Sequence, residues 1–252
     1  RCKHCQNFEI SQITRESGDI PGAPATPGSV INAALGSGCR SISYTYTEPT
    51  IFFEFALDTG LEATQAGLKN IFVTNGYMTP ECLGEMKGVL DAANVDIKSF
   101  SDDFYKKICG ARLAPVLESI IEMRRLGIWV EVTTLIIPGK NNSTEELREI
   151  ARWIYKTDKA IPWHISAFYP TYKLMDAPPT SPQDLIKARE IGLAEGLRYV
   201  YTGNIPGLKG ESTYCFKCGA LIIERRGYSI GEVRVVNGKC PDCETIIDGV
   251  WE

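Results

Sequence analysis

The chain predicts an α/β fold built on a parallel sheet, and three observations carry the prediction. Short β-like runs alternate with longer helical patterns from Ser41 to Glu195. The runs are apolar, as strands covered by helices must be. The alternation then stops near Gly203–Ser212, and beyond it two tight cysteine pairs stand where long helices would continue the pattern.

A Pro/Gly-rich stretch from Ile20 to Gly28 reads as loop. Strand candidates follow at Ser41–Tyr46, Asn70–Thr74, Asn94–Lys98, Ile128–Ile136, Trp163–Phe168 and Arg198–Tyr201. Helix candidates lie between them, at Thr50–Ala66, Pro80–Leu90, Pro115–Leu126, Thr144–Tyr155 and Pro182–Glu195. Leu117, Ile120, Ile121 and Leu126 recur on roughly one face of a 3.6-residue period. Ser143-Thr-Glu-Glu resembles a helix start with acidic first-turn residues, and Gly127 fits a helix stop. Phe52-Phe-Glu-Phe55 reads as a packing face of the first of these helices. In parallel α/β folds, chemistry collects at the carboxyl ends of the strands. That singles out Thr47-Glu48, Asn75, Asp96 with Lys98, Thr133-Thr134, His164 and Asn204.

At 252 residues the chain suffices for one large domain and a small appendage, divided here at 1–210 and 211–252. Lys and Arg number 27 against 31 Asp and Glu, a net charge of −4, which argues against nucleic-acid and anionic-membrane partners. No apolar run approaches the roughly 20 residues of a membrane-spanning helix, and no signal peptide is visible. Arg1 is not an initiator methionine, and the chain opens directly on Cys-Lys-His-Cys. The expectation is a fragment whose natural N-terminus lies upstream. Nine cysteines, six of them in three Cys-x-x-Cys pairs, suit metal binding in a reducing compartment such as the cytoplasm better than a disulfide scaffold.

The tail is the strongest local signal. Cys215-x2-Cys218 and Cys240-x2-Cys243, with 21 residues between them, form two hairpins that together make a tetrahedral four-sulfur site. Gly219 and Gly238 fit the tight backbone of such knuckles. Zinc is the default metal; a mononuclear iron takes the same ligands, and either would staple a segment too small to fold alone. Cys39, Cys82 and Cys109 read as incidental thiols. His164 reads as a structural histidine, and Asn75 and Asn204 read as turn residues at least as well as ligands.

The opening pair, Cys2-Lys-His-Cys5, could by itself be a redox dithiol, half a zinc site or chance. Its continuation, Gln-Asn-Phe-Glu-Ile-Ser, resembles the last part of the Cys-x3-Cys-x2-Cys loop of radical S-adenosylmethionine (SAM) enzymes. Tyr44-Thr-Tyr-Thr-Glu48-Pro49 stands where that family carries its SAM-binding segment at a strand end. Asp96-Ile-Lys98 resembles the Asp-x-Lys of glycyl-radical activases, relatives of pyruvate formate-lyase-activating enzymes. Tyr-Thr-Tyr-Thr-Glu-Pro, Ile-Ile-Pro-Gly-Lys-Asn-Asn-Ser, Trp-His-Ile-Ser-Ala-Phe-Tyr-Pro and the cysteine-rich tail look most like the radical SAM enzyme of the AmmeMemoRadiSam system.

The resemblance implies a partial (β/α)6-type barrel lacking its first strand, with a [4Fe–4S] cluster held by Cys2, Cys5 and a third cysteine four residues before Cys2. It implies that this chain alone holds its cluster poorly. It places His4 near the adenine of SAM, Glu48 at the ammonium, and Asn75, Asp96 and Lys98 beside the same cofactor. Asp96 and Lys98 would share one strand face, and an ordinary ion-pair site is the competing reading. The implied partners are SAM, an electron donor such as a ferredoxin or flavodoxin, and Memo-type and AMMECR-type proteins; the substrate is a protein or a small molecule. The alternative is a non-catalytic zinc-ribbon binding module on an α/β scaffold, with Cys2 and Cys5 incidental.

Overall fold

A capping side chain opens five of the eight described α-helices, three of them with proline as well, in the computed structural model, which describes residues 2–11 and 22–251. The helices are α1 (Phe8–Ser11), α2 (Pro27–Gly36), α3 (Phe53–Gln65), α4 (Pro80–Glu85), α5 (Asp102–Phe104), α6 (Ala114–Arg125), α7 (Thr144–Asp158) and α8 (Pro182–Ala194). A π-helical turn, Tyr105–Cys109, continues α5, and a 3-10 turn, Pro49–Phe52, precedes α3. Thr26, Thr79, Ser143 and Ser181 cap their helices by accepting a backbone N–H three residues on, so that an orphan donor of the first turn finds a partner. At the other end of α6, Gly127 sits at φ +83° and releases the chain into the next strand.

The strands are β1 (Ser41–Tyr44), β2 (Lys69–Thr74), β3 (Ala92–Asp96), β4 (Trp129–Ile136), β5 (Trp163–Ala167) and β6 (Val200–Gly203), and among the described residues they form one sheet in that order. The pairs β1–β2, β2–β3, β4–β5 and β5–β6 are parallel. A second, antiparallel sheet joins β7 (Thr213–Tyr214), β8 (Leu221–Arg226) and β9 (Ser229–Val233). The α/β class, the parallel sheet and the C-terminal cysteine group are as the sequence predicts.

Contacts divide the chain into two compact units. The first holds β1–β3 with residues 171–175. Its core runs through Phe72, Val95 and Ile97, all fully buried. Asn70, also fully buried, braces it: its side-chain amide donates to the Gly60 and Val89 carbonyls and its oxygen accepts from Tyr44. Burial pushes the Tyr44 phenol up to about 12. The second unit holds residues 132–136 of β4, β5, β6, α7, α8 and the C-terminal sheet. There Trp163 donates to Thr134 and packs on α8, close to Gly192, where a Cβ would come within 3.0 Å of the indole.

Several expectations need correction. Strand β1 ends at Tyr44 instead of Tyr46, and β3 runs from Ala92 to Asp96 instead of Asn94–Lys98, so Lys98 does not share a strand face with Asp96. The stretch assigned to loop from Ile20 to Gly28 already enters a helix at Pro27, because Thr26 and Ser29 form a reciprocal capping box; Ile20 and Pro21 lie outside the described residues. Helix α4 ends at Glu85, five residues early, as the chain turns through Met86–Val89. Strand β6 begins at Val200, two residues late: the Arg198 amide turns aside to the Lys159 carbonyl, and Tyr199 offers β5 only its carbonyl, to Trp163.

Candidate functional site

Cys2 and Cys5 lie on one turn, closed by a 3.2 Å bond from the Cys5 amide to the Cys2 carbonyl. Both are reduced and half-buried. The turn is pinned from two sides: the Lys3 amide donates to the Ile108 carbonyl of the π-helical turn at 2.9 Å, and the Lys3 carbonyl accepts from the Lys173 amide at 3.0 Å. Phe8 stacks on Tyr172 with ring centroids 4.9 Å apart, which fastens α1 to the same segment. His4 is buried, its ring 6.2 Å from that of Phe104. A π-turn, a helical ring stack and a paired backbone thus hold a short loop that has no sheet of its own.

Glu48 leaves β1 in extended backbone and caps the following 3-10 turn. Its Oε1 accepts from the Thr74 hydroxyl at 2.6 Å and the Thr50 hydroxyl at 3.2 Å. Its Oε2 accepts from both the backbone and the side-chain nitrogen of Asn75, each at 2.7 Å. With the Thr50 amide at 3.5 Å from Oε1, these donors orient the carboxylate and lock the exit of β1 to the exit of β2. The turn continues at Gly76, whose φ of +68° and whose would-be Cβ, 2.6 Å from Val95, admit no other residue without strain. Nearby, burial and then the charge of Glu48 push the Cys82 thiol up, which suits an incidental thiol.

Asp96 closes β3 one position beyond the Thr74–Val95 pair, so Asn75 and Asp96 follow each other along the register. Lys98 lies past the strand end. Its carbonyl accepts from Asn141 at 2.8 Å, and the next residues, Ser99 and Phe100, donate to Glu146 of α7. The structure therefore brings Glu48 and Asn75 into direct contact and gathers Cys2, His4 and Cys5 on one turn. Asn204, at φ +64°, is a turn residue that donates to the Ala167 carbonyl.

Asn141 and Asn142 had no individual role in the sequence reading. Asn141, 1% exposed, donates to the carbonyls of Lys98 and Leu135 and accepts from the Ile137 amide. Asn142 accepts from Gly139 and donates to Asp184. The visible signal was the pair of asparagines directly after Pro-Gly-Lys, a position where side-chain amides commonly substitute for backbone partners.

In the turns beside the C-terminal sheet, the four sulfurs of Cys215, Cys218, Cys240 and Cys243 lie within 4.8 Å of one another. Cys215–Cys243 and Cys218–Cys240 are separated by 3.6 and 3.7 Å. Metal–sulfur bonds of about 2.3 Å in a tetrahedron put sulfurs about 3.8 Å apart, so the group fits one ion. Each hairpin carries a knuckle bond, Gly219 amide to Cys215 carbonyl and Glu244 amide to Cys240 carbonyl. Gly219 sits at φ +76°; in the second knuckle Glu244 takes the left-handed place at φ +58°, while Gly238 serves a different turn, under Trp251. Hydrogen bonding with the side chain and then the backbone of Thr245 pulls the Cys243 thiol down, while Cys218 in the same group is raised.

Residues 1–154 match the radical SAM superfamily. The chain belongs to that family. An uncharacterized protein of Methanocaldococcus jannaschii is 45% identical over 251 residues, covering 98% of this chain and 74% of that protein. The isethionate sulfite-lyase activating enzyme of Oleidesulfovibrio alaskensis is 28% identical over 141 residues, 54% of this chain and 45% of its own length. Among solved structures, a domain of pyruvate-formate lyase-activating enzyme from Bacteroides vulgatus superposes with a TM-score of 0.54 at 17% identity, covering 65% of this chain and 99% of that one. Streptococcus suis SuiB bound to its precursor peptide SuiA reaches a TM-score of 0.63 at 14% identity, over 81% of this chain and 46% of SuiB. At these identities the structural likeness concerns the fold. Membership of the radical SAM superfamily implies an iron–sulfur cluster and SAM, and the matched segment contains the Cys2–Cys5 turn. Two half-buried thiols on a turn secured from both sides fit a pair of cluster ligands. Among the described residues no helix is long and apolar enough to cross a membrane.

Proposed function

We propose that this protein cleaves SAM reductively and uses the resulting radical to abstract hydrogen from its substrate. When bound, a [4Fe–4S] cluster and SAM supply the electron transfer and the 5′-deoxyadenosyl radical. Cys2 and Cys5 would hold two irons of the cluster, and the clasp of Lys3 on Ile108 and Lys173 would keep their turn in place. His4 would face the adenine. Glu48, Asn75, Asp96 and Lys98 would line the SAM site. Glu48 in particular would meet the ammonium of SAM with a carboxylate already oriented by Thr50, Thr74 and Asn75. The single observation that carries this reading is the pinned Cys2–Cys5 turn within the segment that matches the superfamily.

On this reading the substrate is a protein, as in glycyl-radical activation, and the named activating enzymes among its relatives support that choice. We assign the chain to the AmmeMemoRadiSam branch, with Memo-type and AMMECR-type proteins as partners and a ferredoxin or flavodoxin as electron donor, in the cytoplasm. Residues 1–210 would form the catalytic domain. Residues 211–252 would form a ribbon that holds a structural zinc, with mononuclear iron as the alternative metal.

The test is anaerobic reconstitution of the full-length protein with iron and sulfide, followed by dithionite and SAM. The expected result is a charge-transfer band of the cluster and release of 5′-deoxyadenosine, both lost in Cys5→Ala. A reconstituted cluster that leaves SAM intact under reduction overturns the proposal.

A further inference from the structure

Strands β5 and β6 present two unlike faces. Trp163, Ile165, Val200 and Thr202 are buried, and a Cβ at Gly192 of α8 would come within 3.0 Å of both Trp163 and Val200, so this set faces the helix. By alternation, His164 and Tyr201 lie on the opposite face, where both are only half-buried. The register pairs Thr133 with His164 and His164 with Tyr201. The two rings stack with centroids 5.2 Å apart and planes inclined by 24°.

The C-terminal sheet reaches into this row. Thr213 of β7 shares a 2.9 Å hydrogen bond with the Tyr201 hydroxyl. Arg225 of β8 donates through Nη1 to Thr213 Oγ1 at 2.5 Å, and its guanidinium carbon lies 5.6 Å from the centre of the Tyr201 ring. Ser212 fixes the backbone of Arg225 by accepting from its amide and donating to its carbonyl.

Most other arginines of this unit have carboxylate partners, among them Arg198 with Asp248, Arg226 with Glu224 and Arg234 with Asp242, while Arg189 donates to the Val200 carbonyl. Arg225 differs. Its side chain meets one neutral hydroxyl and one aromatic ring, and among the described residues no carboxylate lies in ion-pair range of it. The chain carries 31 acidic residues, so a partner was available in composition and is not provided in space. A half-buried guanidinium that, among the described residues, commits one N–H donor to Thr213 is matched to an incoming oxyanion, which it can grip bidentately. The ring stack beside it offers a flat apolar wall and a hydroxyl.

We propose that Arg225, with Tyr201 and His164, forms a binding site for an oxyanion group, carboxylate or phosphate, borne by the substrate. The C-terminal ribbon then recognises substrate as well as holding metal. Only the word substrate rests on the radical SAM reading; the anion site itself does not.

The experiment uses the full-length, ribbon-metallated protein without cluster or SAM, titrated with inorganic phosphate and with benzoate by NMR or calorimetry. Wild type is expected to bind at least one of the two, and the preferred probe tells phosphate from carboxylate. Arg225→Gln should weaken that binding by about tenfold, and Arg225→Lys and Tyr201→Phe by a few-fold each, with ribbon metal content unchanged. The proposal is overturned if wild type binds neither probe, or if Arg225→Gln binds as wild type does. Should Arg225→Gln lose the ribbon metal, Arg225→Lys and Tyr201→Phe decide, and unchanged affinity in both sinks the site. Because no SAM chemistry enters the assay, its failure leaves the proposed reaction standing, and the reverse also holds.

Discussion

Two pairs of donors on the Glu48 carboxylate differ in kind, and the difference separates two substitutions. Asn75 offers two N–H groups to Oε2, neither of which can turn into an acceptor. Thr50 and Thr74 offer hydroxyls to Oε1, and hydroxyls can rotate to accept from an amide. Glu48→Gln can therefore keep its oxygen on Asn75 and turn its NH2 toward the threonines, at a cost of about 1 kcal/mol. Glu48→Ala strands the Asn75 donors and should cost about 2–3 kcal/mol in urea denaturation. SAM binding reads the charge separately: if Glu48 meets the ammonium, Glu48→Gln lowers SAM affinity far more than stability. The same substitution has a second readout at Cys82. That thiol is raised mainly by burial and further by the Glu48 charge, so less of it is thiolate at a given pH. Removing the charge lowers its pKa, and iodoacetamide labelling of Cys82 at fixed alkaline pH should accelerate. An unchanged rate means that Glu48 does not act electrostatically on this end of the sheet.

Between elements, small polar side chains do work that periodicity does not reveal. Asn141 satisfies two carbonyls and one amide from three places in the chain while almost fully buried. Asn141→Leu, similar in volume, leaves those groups without that partner and should destabilise by about 3 kcal/mol, with faster hydrogen exchange at the Ile137 amide. If exchange there does not change, the bracket is incidental. The strands and most helices were legible beforehand because every second residue of a strand is buried and carries the apolar signal, and because Ser143, Ser181 and Gly127 mark helix ends by their own chemistry. The cysteine spacing made the four-sulfur site legible for the same reason. Helix α2 was hidden because Pro27 and Gly28 read as loop, although Thr26 and Ser29 cap it. The pinning of the Cys2–Cys5 turn was illegible: it depends on Ile108 and Lys173, far away in sequence, through backbone atoms that every residue shares. Arg225 was illegible too, since a basic residue in a strand ending in Arg-Arg looks like solvated surface until its neighbours are known.

Across the molecule, the C-terminal ribbon and the start of β6 share one small core: Tyr199, just before the strand, packs with Ile222, Ile247, Cys215 and Cys240, and Tyr201 of β6 lies against them. A polar clasp closes it. Arg198 donates to both oxygens of Asp248 at 2.9 and 2.7 Å, and Tyr199 donates its hydroxyl to Asp248 while accepting from the Asp248 amide. Asp248→Ala breaks a largely buried pair and should cost about 1–3 kcal/mol, visible as a lower unfolding temperature with the ribbon metal retained. Metal removal acts more severely. So few apolar side chains cannot hold the ribbon once its thiolates are released, so chelation at neutral pH should unfold residues 211–251 and uncover Tyr199. Burial drives the Tyr199 phenol above the ordinary tyrosine range, so loss of the ribbon must bring its pKa down. Difference absorbance at about pH 11, where ordinary tyrosines are ionised, should then show additional tyrosinate in the chelated protein. Tyr44, held near 12 by its own burial among β1 and β2 residues, should stay protonated in both samples and serve as the internal control. A chelated protein whose tyrosine titration and amide protection in β8 match the metallated form would show that the ribbon stands without its ion.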